Sequence, residues 1–403
     1  MDKQTRISHP RSLTTRCFLR GGLASALVLV VIWSLVLAGC GQATSPTASP
    51  KASSAPSSAP AASSPASSSQ PSASAKAAAT NTPNAQARTA ALYEAAKKEG
   101  KVLWYSSAVA DWGKALIDEF KKKYPGIEVE HFRANNEEIR ERAITEAKAG
   151  KLEADVIEGS TVDHFFYLKE GLFKKHDWPN AASFRPEFKD PNGYWLGTRW
   201  VPQVIAYNTK LVSAAEAPKT WEDLLDPKWA GKLGIEEDDS TWMAAILQYM
   251  GEQKGMDYLR KLAAQKPMMR KGHSTATNLL AAGEFPVLIV TYPNLVEGPK
   301  AKGAPVEWVR VNPTLSSGAQ GVGINKSAPH PNAAALWAEW LTSGDGGQAV
   351  HAAIGNPPAN NDVANAGAAV KEQMALKVVS LSLEWSPKAE EAFKQYQELF
   401  WPK

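Results

Sequence analysis

WLGTRWVPQVIAYNTKLVSAAEAPKTWEDLLDPKWAGKLGIEEDDSTW, Trp195 to Trp242, is the stretch on which the reading of this chain turns. Trp200 to Tyr207 is an apolar, β-rich run, and Asn208 marks a turn. Pro218, Pro227 and Gly231 then punctuate the chain before a new helix opens near Ser240. That is the pattern of a crossing from one lobe to another. Further on, Ser317 to Lys326 (SGAQGVGINK) is again a short apolar strand ending in Asn and a basic residue. The two runs read as paired connectors, one leaving the first lobe and one returning to it. A chain joined in this way can hinge.

Upstream, Arg6, Arg11, Arg16 and Arg20 precede the apolar run Leu23 to Leu37. The run is shorter than the roughly 20 residues of a membrane span and has the order of a secretory leader. It ends Leu37-Ala38-Gly39-Cys40, which resembles the bacterial lipobox, so residues 1–39 are expected to be a signal peptide and Cys40 a lipidation site. Residues 40–86 are almost entirely Ser, Ala and Pro after the cysteine. Such a tract has too few large apolar groups to offset ordering entropy and reads as a disordered tether.

The leader holds five basic side chains and one acidic one, leaving 40 of each in the remainder. The excess of positive charge therefore belongs to the leader, and no nucleic-acid partner is expected. Cys17 and Cys40 are the only cysteines, so the folded body has neither a disulfide nor a cysteine metal site.

In the body, Ala87 to Lys98 reads as a helix and Val102 to Tyr105 as a buried strand. A helix from Asp111 to Lys123 follows, stopped by Tyr124-Pro125-Gly126, and then a strand from Ile127 to Phe132. Strand, helix, strand at these lengths makes a βαβ unit and a parallel sheet. Asn135 or Asn136 caps the next helix, and Ala154 to Ile157 is the next strand. In the second lobe, Lys232 to Ile235 and Phe285 to Tyr292 read as strands. The helices there are one capped by Ser240 or Thr241, one at Met256 to Ala264 and a short one at Ser274 to Leu280. Pro331 opens a helix after the return strand, and Pro387 to Phe400 forms the last one. The expected division is 87–208 with 314–380 as lobe 1 and 209–313 as lobe 2, with 381–403 a C-terminal helix assigned to neither.

This order of pieces resembles the type II solute-binding lipoproteins of ABC importers, closest to the group with ferric-iron, phosphonate and thiamine binders. The resemblance is carried by Gly100 to Ser107, Leu152 to Val156, Ala206 to Leu211, Pro218 to Lys232 and Gly323 to Ala334. It implies an α/β fold of two lobes, each a mostly parallel sheet flanked by helices, joined by two hinge-crossing strands. It also implies a small solute or ion held between the lobes, closure on binding, and delivery to an ABC permease with its ATPase. The protein would be an exported, lipid-anchored monomer facing the extracytoplasmic side.

In such a cleft, loops after strands and helix starts offer free N–H groups to oxygen-rich anions. That singles out Ser106, Ser107, Ser160, Thr161, Asp239, Ser240, Thr241, Ser274 and Thr275, each of which also suits a helix cap. Arg199, beside the first connector, could clamp a carboxylate or phosphonate; the alternative is a solvated or ion-paired strand residue. Tyr292 ends the apolar strand of lobe 2, where the resemblance to ferric binders implies two adjacent tyrosines. Here the second position is Pro293, so iron would need a carboxylate, a histidine or an anion beside Tyr292.

The histidines are scattered without ligand spacing on one helix and read as surface residues, and no resident metal is expected. Glu236, Glu237, Asp238 and Asp239 read as an acidic run complementing a helix dipole, or as an acid pair or cation site. Asn356-Pro357-Pro358 could edge the cleft. No G-x-S-x-G elbow or Walker A loop is present, and Gly318-x-x-Gly321-x-Gly323 lacks the dinucleotide spacing, so neither enzyme activity nor a cofactor is expected. The expected ligand is an organic anion such as a phosphonate or carboxylate, with ferric iron second and a polyamine third. A solute-sensing or surface-scaffold lipoprotein is the reading from another class.

Overall fold

The computed structural model describes residues 83–363 and 365–401. The leader, Cys40 and most of the tether lie outside the described residues. The elements begin α1 (Pro83–Glu99), β1 (Lys101–Ser106), α2 (Ala110–Lys123), β2 (Glu128–Arg133), α3 (Asn136–Lys148), β3 (Val156–Ser160) and α4 (Thr161–Lys169). β1 pairs parallel with both β2 and β3, as the βαβ pattern requires. α1 starts within the segment read as tether, and α4 was not anticipated. Asn135 caps α3 with a full capping box, its side chain accepting from Glu138 N at 2.8 Å.

β4 (Trp195–Asn208) is the first connector. Its first part runs antiparallel to β9 (Thr314–Ile324), while Val204 to Asn208 pairs with strands of the other lobe. Between the two connectors lie β5 (Leu233–Glu236), α5 (Ser240–Met250), α6 (Glu252–Ala264), β6 (Met268–Arg270), α7 (His273–Ala282), β7 (Val287–Thr291), α8 (Pro293–Ala301) and β8 (Val306–Trp308). β5 pairs parallel with β6 and β7. After β9 come α9 (Pro331–Thr342), α10 (Gly347–Ala353), α11 (Ala368–Met374), β10 (Val378–Ser380) and α12 (Ser386–Phe400). Strand order along the sheet is β2-β1-β3-β9-β4-β7-β5-β6, with β10 parallel to the start of β9 and β8 on β4.

Aromatic side chains centre the cores. In lobe 1, Trp337 meets Trp104 at 5.3 Å and Phe120 at 4.9 Å between ring centroids, all fully buried. Trp221 and Trp242, 5.9 Å apart, anchor the lobe 2 core together with Met243 and Leu259. That core also takes in Ala392, Tyr396 and Phe400 of α12, so the last helix packs on lobe 2. To the two expected connectors the structure thus adds a third crossing, β10 leading into α12.

Two of the segments that carried the family resemblance hold each other. The buried Asp155 carboxylate accepts from Leu103 N, from His330 N and from the His330 ring, at 2.7, 2.7 and 2.9 Å. The glycines of β9 answer to close approach. Gly318 has φ +106°, and a Cβ there would stand 2.1 Å from Thr161 Oγ1. One at Gly321 would strike the His164 ring, which lies stacked on Trp195 at 4.7 Å.

Candidate functional site

A cavity of about 770 Å³ lies between the lobes. Strand ends and helix starts of both lobes line it, together with β4 and α12. Arg199 is its central cation. It sits between two register shifts of β4, at Gly197/Arg199 and Trp200/Pro202, where the bulged strand re-aims its side chains. The loop after α10 braces it: Arg199 bridges to Pro358, and Trp200 N donates to Pro357 O at 3.1 Å.

The Arg199 guanidinium lies 5.4 Å from the Trp112 ring centroid and forms no ion pair among the described residues. Burial lowers its pKa and the charge of Glu158 opposes that shift; a guanidinium nevertheless stays protonated. Glu158 is already engaged, accepting from the Ser106 and Thr198 hydroxyls at 2.7 and 2.6 Å. Both alternatives to an anion clamp, a solvated residue and a lobe-to-lobe ion pair, are therefore absent.

Ser107, Ser160, Arg199, Ser240, Thr241 and Tyr292 line the cavity. The other candidates do not. Ser106 is fully buried and spent on Glu158 and Ala108 N. Thr161 is buried against β9, where its Oγ1 accepts from Ala319 N at 3.1 Å. Ser274 and Thr275 are exposed on the first turn of α7, away from the cavity. Neither Ser240 nor Thr241 is the cap of α5; Asp239 holds that position, without a capping bond. Ser160 caps α4 in a box with Asp163, whose carboxyl burial lifts to about 6 against the lowering pull of Ser160 and Arg140.

Asp239 is buried behind the cavity wall in a cluster that contradicts the reading of the histidines as surface residues. The His273 Nε2 lies 2.9 Å from the Tyr292 hydroxyl and 3.3 Å from Asp239 Oδ1. Ligand atoms of Glu236, Asp239 and His273 lie within 4.8 Å of one another. Both Glu236 oxygens accept backbone N–H groups, from Asp238 and Gly272, each at 2.6 Å. Burial holds His273 neutral, its pKa lowered to about 4, and raises those of Asp239 and Tyr292 far above their usual ranges. His164 and His351 are buried as well.

Sequence reasoning missed Trp112, Asn136, Arg140, Asn294, Gln320 and Phe393 as lining residues. Gln320 belongs to the second connector run, SGAQGVGINK, and was in view there without being assigned a role. Phe393 on α12 carried no local signal, because only packing brings that helix to the cleft.

Residues 115–378 match the model of bacterial extracellular solute-binding proteins. The chain belongs to that family. This solute-binding protein is 24% identical over 263 residues to the Fe(3+)-binding periplasmic protein of Serratia marcescens, covering 63% of this chain and 77% of the relative. It is 25% identical over 275 residues to iron uptake protein A1 of Synechocystis, covering 64% and 75%. Two solved structures share the fold. Iron-bound HitA of Pseudomonas aeruginosa has a TM-score of 0.65 at 23% identity, covering 74% of this chain and 99% of its own. AfuA of Actinobacillus pleuropneumoniae with fructose-6-phosphate bound has 0.62 at 22%, covering 75% and 99%.

Family membership makes this solute-binding protein a binding component of an ABC importer rather than an enzyme. The iron its relatives bind is transported ligand, not a cofactor. Among the described residues, no helix is long and apolar enough to cross a membrane.

Proposed function

We propose that this protein captures a small organic anion, a phosphonate or carboxylate, at Arg199 and presents it to an ABC permease. One observation carries the reading: a buried arginine lining the inter-lobe cavity with no carboxylate paired to it among the described residues. Charged hydrogen bonds to such a group are worth about 1.5–3 kcal/mol. Calorimetry with ethylphosphonate and acetate tests it. Arg199→Ala weakens binding tenfold or more, and Arg199→Lys does not restore the bidentate geometry. Unchanged affinity in Arg199→Ala rejects the clamp.

A second reading has its own support. Tyr292, His273 and Asp239 form a joined set of hard and borderline ligands, and two relatives are named for iron. Ferric nitrilotriacetate decides between the readings. Tight binding with a visible phenolate band that Tyr292→Phe abolishes, in a protein indifferent to ethylphosphonate, replaces the anion by iron.

A further inference from the structure

Around Arg199 the cavity wall carries three side-chain amides, each with one buried atom lacking a partner. They are Asn356 Nδ2, Gln320 Oε1 and Asn136 Oδ1. They come from separate places: the loop after α10, β9 and the first turn of α3. Asn356 is 3% exposed and Gln320 8%, so solvent does not compensate them freely. Asn356 Oδ1 accepts from Asn294 Nδ2 of α8 at 3.4 Å, which leaves its amino group as the available end. The hydroxyls of Ser107 and Ser317 line the same space with no hydrogen bond to the described residues.

Unpaired buried amides are rare because leaving them so is costly. This set offers both a donor and acceptors, and a ligand hydroxyl can answer either because it donates and accepts. A bare phosphonate or carboxylate brings acceptors alone and would leave the Gln320 and Asn136 carbonyls unmet. Trp112, Trp200 and Pro202 supply apolar wall between the polar groups, matching a compact molecule whose carbon skeleton alternates with hydroxyls.

We propose that the transported anion is polyhydroxylated, of the sugar-phosphate or sugar-acid class, with its charged group at Arg199 and its hydroxyls on Asn356, Gln320 and Asn136. This rests on the anion reading above. The test measures affinities of the full chain for two matched pairs at pH 7.5: glucose 6-phosphate against ethylphosphonate, and gluconate against propionate. The hydroxylated member of each pair binds at least about tenfold tighter, the worth of two ordinary hydrogen bonds. In Asn356→Ala that preference shrinks toward unity, and Asn136→Ala, at a half-buried helix start, serves as a second variant should the first fail to fold. Equal affinity within both pairs overturns the hydroxyl subsite while leaving the anion clamp standing. Tighter binding of 2-aminoethylphosphonate than of glucose 6-phosphate overturns it in favour of an ammonium arm facing Asp238 and Glu137. Binding by none of these anions removes this proposal together with the anion reading.

Discussion

Pro293 stands where the ferric-binder resemblance implies a second tyrosine, and the structure gives it a local role. It is the first residue of α8, where a backbone N–H has no helical partner to lose and a fixed φ suits the turn. Tyr292 keeps its place and acquires a histidine in place of the missing neighbour, a pairing across 19 residues of chain that no spacing rule exposes. The buried histidines also set a pH response. His164 and His351 are enclosed, and burial lowers both pKa values from 6.5 to about 3, with the charge of Arg199 adding to the effect at His351. Between those limits the unfolded chain binds protons that the folded state refuses, so stability rises with pH across that window and is lost on acidification. The slope approaches about 1.4 kcal/mol per pH unit for each histidine. Asp163, raised to about 6, binds its proton more tightly when folded and opposes this over part of the range. Two groups outweigh one, and urea midpoints should fall from pH 6.5 toward pH 4. His164→Phe, which keeps a ring against Trp195, should flatten that fall; an unaltered pH profile would exclude His164 as a cause.

Elements with a clean period were legible, and elements that begin directly from a strand were not. β1, α2 and α3 each show apolar spacing or a capping box, and the reading of them agrees with the structure to within a residue or two. α4 and α8 start immediately at or just past a strand end, so the loop expected there is absent and the sequence shows only polar or turn-forming residues at Ser160 and Pro293. β10 is three residues long, below what alternation can reveal. α12 was legible as a helix but not in its placement, which depends on distant partners. Tyr396 Oη donates to Glu236 O at 2.5 Å and Trp401 Nε1 donates to Glu237 O at 3.0 Å, both in lobe 2. At its other end, Arg140 of α3 reaches Glu390 at 2.8 Å. Tyr396 is fully buried against Phe400. Tyr396→Ala should therefore cost about 3–5 kcal/mol in urea unfolding, the usual loss for a large core truncation. A loss below about 1 kcal/mol would mean that α12 is an appendage and not part of the lobe 2 core.

At the scale of the whole molecule, the cavity is walled by both lobes, so its ligand bears on how they sit together. β4, β9 and β10 cross between them, and α12 is fastened to each. Moving such a pair from almost entirely open to almost entirely closed takes about 5.5 kcal/mol of preference for the closed form. The exposed part of the α12 fastening, Glu390 with Arg140, adds no more than about 1 kcal/mol. An anion on Arg199 supplies about 1.5–3 kcal/mol, and each neutral hydrogen bond about 1 kcal/mol. A bare anion thus falls short of the requirement, whereas an anion whose hydroxyls also reach Asn356, Gln320 and Asn136 meets it. Small-angle scattering of the full chain should accordingly show compaction with saturating glucose 6-phosphate and little with saturating ethylphosphonate. Equal compaction by both ligands would place the whole closing force at Arg199. No compaction with a ligand shown by calorimetry to be bound would mean that the lobes are already held in the closed arrangement by their three strands and α12.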